Sequence, residues 1–149
     1  MTIDTRPPTD LQAKKRAAAA RFEAIAAAHL PKGWRVVRYR KSLSGYCDLV
    51  DKIIVVPRPR SRRALYIFLH ECAHAVLHHK RNGKPRHVEE LEAELWAHAA
   101  MRAAGVPVPH SMTARARRHV AHKIQQAVRR GAKKIDAKAR HFAGIKGAP

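Results

Sequence analysis

The sequence predicts an α+β domain: a small antiparallel sheet packed on a histidine-bearing helix and a following glutamate-bearing helix, with extra basic helices at both ends. Three observations predict it. Short runs rich in Val, Ile, Tyr and Trp fall between residues 34 and 56, longer stretches on either side carry helical spacing, and Gly or Pro punctuates the junctions.

Residues 1–8, closing with Pro7-Pro8, read as disordered. Thr9 or Asp10 can cap a helix to about His29, with Leu11, Ala18, Phe22, Ile25 and Ala26 on its apolar side; Pro31 and Gly33 end it. Residues 34–40 alternate partially and read as a strand, 42–45 as a turn, 46–50 as a second strand, and 53–56 as a third, stopped by Pro57 and Pro59. The apolar run 64–79 is a helix, with Asn82-Gly83 as its terminator. A second long helix runs from His87 to Ala104 and closes at Gly105 and the stiff 106–109 segment. Ser111 caps a further helix to about Arg130, Gly131 follows as its C-cap, and 132–142 add a turn or two before a frayed tail. The chain thus divides into a disordered start (1–8), a core domain (9–109) and a basic helical extension (110–149).

Charge narrows the partners. Lys and Arg outnumber Asp and Glu by 31 to 11 for a net charge of +20, and four of those acids lie within residues 89–94. The remaining surface is therefore strongly electropositive and suited to nucleic acid or another polyanion. Within 110–149, Arg115, Arg117, Arg118, Arg129 and Arg130 form the candidate nucleic-acid-binding set, acting on phosphates because nothing there resembles a base-reading motif. No apolar stretch is long enough for a transmembrane helix, and the first residues lack the apolar core of a secretory signal. Cys47 and Cys72 make no disulfide framework and read as reduced thiols, so the expectation is a cytoplasmic protein with no membrane partner.

The chemistry concentrates in His70-Glu71-Cys72-Ala73-His74, an H-E-x-x-H pattern. Residues four apart on a helix face the same way, so His70 and His74 can hold one Zn²⁺ at about 2.0–2.1 Å with Glu71 beside it as general base. The flanking Leu65, Ile67, Phe68, Leu69, Val76 and Leu77 are those of a buried helix, where bare imidazoles are costly and a metal supplies their partner. A third ligand is needed. Glu90 and Glu94 are stacked on one helix face, so one can bind metal while the other hydrogen-bonds a ligating histidine. Glu90 is the preferred ligand, Glu89 the alternative, and Glu92, on the opposite side, reads as solvated. His78 and His79 suit the negative end of their helix, His119 and His122 read as a solvated face, and Trp34 and Trp96 as core.

The run His70-Glu-Cys-Ala-His-Ala-Val-Leu-His78, followed by Glu90-Leu-Glu-Ala-Glu94-Leu-Trp-Ala97, resembles the zincin-like ImmA/IrrE metallopeptidases, and is also similar to the metallopeptidase domain of ArdC-type antirestriction proteins. The resemblance spans about residues 34–106 and departs at Cys72, at Trp96 and in a short loop between the two helices. It aligns Glu90 with the family's ligand glutamate and Glu94 with the acidic or amide position one turn on. It implies zinc on His70, His74 and Glu90, Glu71 as proton carrier, and a protein or peptide substrate. That substrate is expected to pair as an added strand along an edge near 53–56. The oxyanion partner is open among Tyr46, His98 and an arginine. The competing class is a basic nucleic-acid-binding protein with a structural, non-catalytic zinc; Glu71 discriminates, since a structural site needs no base.

Overall fold

The computed structural model describes residue 3 and residues 5–80 and 82–146; the expected disorder at 1–8 and the frayed end fall partly outside these. Among the described residues the chain is α+β, with five helices and a three-stranded mixed sheet. The order is α1 (Asp10–His29), β1 (Arg35–Arg40), β2 (Tyr46–Asp48), β3 (Ile53–Pro57), α2 (Arg62–Leu77), α3 (Arg86–Ala103), α4 (His110–Arg129) and α5 (Ala137–Ala143). No helix among them is long and apolar enough to cross a membrane.

The sheet corrects the antiparallel expectation. Its order is β1-β3-β2, with β3 antiparallel to β2 but parallel to β1. The reason lies in β3, whose Ile54, Val55 and Val56 have no exposed surface. A strand apolar on both faces belongs in the middle, and the more polar β1 and β2 take the edges. β3 is paired on both sides over 53–55 and on the β1 side at Val56, so it is not an edge strand for a substrate; the edge near α2 is that of β2.

α1 starts on a capping box: Thr9 Oγ1 accepts from the Gln12 N–H and the Gln12 side chain accepts from the Thr9 N–H. Its first half stands in solvent, Leu11 included, while Phe22, Ile25 and Ala26 reach the core. α2 is buried on every side from Ala64 to Ala75, as an apolar helix at the centre of a domain must be. It meets α1, the sheet and α3, and its Leu65, Phe68 and Leu69 pack with Ile54, Val56 and Met101, with Trp34 and Trp96 at the margin. Leu69→Ala should cost about 2–5 kcal/mol by leaving a cavity that rigid neighbours cannot fill. A denaturant midpoint within error of wild type would contradict that packing.

Two helix ends differ from expectation. α2 stops at Leu77 with His78 as C-cap, before Asn82-Gly83, which instead form a turn where the Lys84 N–H donates to Asn82. α4 starts at His110 after Pro109, whose fixed φ of -60° sets the entry, and Ser111 is already inside the helix. The basic segment is packed: Val120 and Ile124 of α4, Ala139 of α5 and Leu91 of α3 share a second apolar cluster. The Asp136 N–H donates to His87 Nε2 and ties the start of α5 to α3. α4 consequently lies along the same face of α3 that carries Glu90 and Glu94.

Candidate metal centre

Helical spacing puts His70 and His74 one turn apart on α2, and α3 brings Glu90 against both. His74 Nε2 is 3.2 Å from His70 Nε2. Glu90 Oε2 is 3.3 Å from each of the two nitrogens. A tetrahedral ion about 2.0 Å from each donor separates them by about 3.3 Å, so the triangle has the dimensions of a zinc site. All three side chains are buried, and imidazole and carboxylate are ordinary zinc donors. The residues present fit the ion.

Both candidate histidine ligands are held from behind. His70 Nδ1 lies 3.2 Å from Glu94 Oε1. Glu94 in turn accepts from the Tyr66 hydroxyl, which also lies 3.0 Å from His98 Nδ1. His74 Nδ1 is 2.9 Å from His78 Nδ1. With Nε2 as ligand atom, His74 carries its proton on Nδ1 and donates to His78, which leaves His78 Nε2–H toward Glu92 Oε1 at 3.5 Å. Glu92 is thus not simply solvated; it also pairs with Lys84 at 2.8 Å. Glu89 faces Arg86 at 3.6 Å and takes no part in the triangle.

Electrostatics follow the geometry. Burial pulls the His70 pKa down, yet Glu94, Glu90 and Glu71 together hold it well above its ordinary value. Burial opposes ionisation of Glu90, but hydrogen bonds from His70 and His74 keep its carboxyl well below the usual range. Glu94 is likewise held low against burial, by His70, His119 and Tyr66. Glu71 moves the other way: burial raises it, with His70 and His74 pulling partly back. A raised carboxyl is better matched to taking up and passing on a proton. Above the ordinary imidazole range the metal-free protein keeps His70 protonated, whereas ligation needs Nε2 free. Zinc loading should therefore release a proton and tighten as pH rises toward the folded-state pKa of His70. Calorimetric titration in buffers of different ionisation enthalpy measures this; identical heats in all buffers would refute it.

Two residues at the site carried no such sign in the sequence reading. His119 was expected on a solvated face, but α4 places its Nδ1 3.4 Å from Glu94 Oε1 and 3.6 Å from Glu90 Oε2. Only the packing of α4 on α3 reveals it; nothing in its local sequence does. Gly45 is the other. A Cβ there would meet Glu71 Cγ at 3.0 Å, the Val55 carbonyl oxygen at 3.1 Å and Val56 Cγ1 at 3.2 Å. Gly45→Ala must displace either the central strand or Glu71. It should cost about 1–3 kcal/mol as overpacking and disturb Glu71 more than the metal ligands. Wild-type stability together with unaltered behaviour of the site would show that the segment simply yields.

Two cavities flank the centre and share Gly45, His70, Glu71 and His119. One, about 420 Å³, lies toward Tyr66, Met112, Arg115 and Arg118; the other, about 270 Å³, runs under the β2 edge past Tyr46 and Cys47 to Arg86 and Lys123. Of the proposed nucleic-acid set, Arg115 and Arg118 line the first cavity. Arg117 sits over the Phe142 ring at 5.9 Å, and Arg129 and Arg130 are exposed at the far end of α4. Among the other candidates, His98 is engaged by the Glu94 carbonyl oxygen at 2.7 Å and by Thr113 Oγ1 at 3.0 Å, while Tyr46 remains at the cleft. Cys47 and Cys72 are unpaired, and burial pushes the Cys47 thiol up to about 12 and Cys72 higher still, so neither is a thiolate nucleophile. Compared with models of protein families, with curated proteins and with solved structures, the chain matches none.

Proposed function

We propose that the chain is a zinc-dependent metallopeptidase with a zincin-like arrangement of the ImmA/IrrE type. The observation that carries this reading is the triangle of His70 Nε2, His74 Nε2 and Glu90 Oε2, with sides of 3.2–3.3 Å, beside the buried carboxyl of Glu71. Bound there, zinc supplies Lewis acidity and lowers the pKa of water. Glu71 takes the proton of the attacking water and delivers it to the leaving amine, a task suited to its raised pKa. Glu94 and His78 fix the ring orientations of His70 and His74. His119, at the junction of the two cavities, is the group that donates to the developing oxyanion. An extended peptide pairs with the free edge of β2, where Tyr46 and Cys47 border the cleft.

A structural zinc would leave Glu71 without a task. A buried carboxyl with a raised pKa, lining two open cavities, favours catalysis. Metal analysis joined to hydrolysis of unfolded protein by wild type and Glu71→Gln is the test. One zinc per chain with cleavage confined to wild type is expected; zinc without cleavage in either protein returns the reading to a structural site.

A further inference from the structure

The cavity beside Glu71 has a chemical character that the hydrolytic machinery does not require. Its floor is apolar, made by Ile67, Met112 and Ala116, and its α4 wall carries Arg115, Arg118 and His122. Among the described residues no ion pair to a carboxylate is formed by Arg115, which is half-buried, or by Arg118, which is exposed. A guanidinium that lines a cavity without a carboxylate partner is well satisfied by an anion, and its planar fork matches a carboxylate in two parallel hydrogen bonds. The far cavity does not repeat the pattern, because Arg86 at its end is already paired with Glu90 at 3.1 Å.

We propose that this cavity is a specificity pocket in which Arg115 and Arg118 select a peptide substrate carrying Glu or Asp next to the scissile bond. The methylenes of the acidic side chain lie on Ile67 and Met112 while its carboxylate meets the two guanidinium groups. The proposal rests on the peptidase reading above. A polynucleotide fits the same residues less well. Its evenly spaced phosphates need a stripe of cations, whereas Arg115 and Arg118 line one pocket and Arg117 sits over the Phe142 ring; the Glu94 carboxylate in that pocket is already engaged by Tyr66, His70 and His119.

The test uses zinc-loaded Glu71→Gln protein and two pools of fluorescein-labelled peptides, alike except that one carries Glu where the other carries Gln. The Glu pool should bind about ten- to a hundredfold more tightly at moderate salt, the gain expected of hydrogen bonds to a charged group. Adding Arg115→Gln and Arg118→Gln should erase the difference. Adding Lys133→Glu and Lys134→Glu, in the loop after α4 and outside both cavities, should preserve it, which separates the pocket from general attraction to a basic protein. Zinc content and thermal midpoint verify that each variant is folded. Equal binding of the pools, or a preference that survives loss of both arginines, overturns the proposal. So does arginine-dependent binding of an oligothymidylate of equal charge in the absence of peptide selectivity, which assigns the pocket to nucleic acid. Cleavage by wild type is read separately. Selective binding without cleavage removes the peptidase reading and keeps the pocket, while cleavage indifferent to Glu removes the pocket and keeps the peptidase.

Discussion

Glu71→Gln should abolish peptide hydrolysis while leaving zinc and fold in place. Loss of a positioned general base alone removes about 10²–10⁴-fold, and in the proposed mechanism the same group also protonates the leaving amine, so the fall in kcat belongs at the upper end of that range. The amide is nearly the same size as the carboxylate, so the close packing under Gly45 is retained. Stability gives an independent readout. Because burial raises the Glu71 pKa in the folded state, its ionised form opposes folding, and that opposition grows as pH climbs above the unfolded carboxyl range. Gln carries no charge at any pH. The metal-free variant should therefore melt no lower than wild type at neutral pH and should lose that advantage in acid. A variant that turns over normally sinks the mechanism; one that melts markedly lower at neutral pH contradicts the electrostatic account of the site.

What could be read from the sequence is what depends on local spacing. The four-residue interval between His70 and His74, the same interval between Glu90 and Glu94, and the Thr9 cap each fix geometry within a turn of helix, and the structure places these groups accordingly. Strand order is another matter. β1 and β3 are joined through β2 in sequence but lie side by side in space, and the central place of β3 goes with how completely Ile54, Val55 and Val56 are enclosed. His119 illustrates the same limit within the site. Its neighbours Arg117, Arg118 and His122 are polar, so its local pattern describes an exposed face. Its place beside Glu90 and Glu94 is set by Val120 and Ile124, which press α4 onto Leu91 some thirty positions earlier in the chain. Arg115 and Arg118 were legible as charge, but whether that charge faces outward or lines a cavity depends on the same docking.

Removal of a ligand should have the second large effect, and a graded series distinguishes a metal centre from a cluster of buried histidines. His74→Ala deletes a donor 3.2 Å from His70 Nε2 and 3.3 Å from Glu90 Oε2, leaving one imidazole and one carboxylate to hold the ion. Its zinc affinity should fall by more than the roughly 10–100-fold typical of changes behind the ligands. His78→Ala touches the ion only through His74 Nδ1, 2.9 Å away, and should fall within that smaller range. His79→Ala, at an exposed ring whose Nδ1 lies 3.0 Å from the Val76 carbonyl oxygen, should change nothing. Folding reports the same order, because an ion that binds only the native state raises the melting temperature in proportion to the logarithm of its occupancy ratio. Added zinc should raise Tm strongly in wild type and His79→Ala, less in His78→Ala, and not at all in His74→Ala. Full zinc occupancy in His74→Ala would remove the proposed centre, whereas equal losses in His74→Ala and His79→Ala would mean that the ion is held elsewhere, by surface histidines.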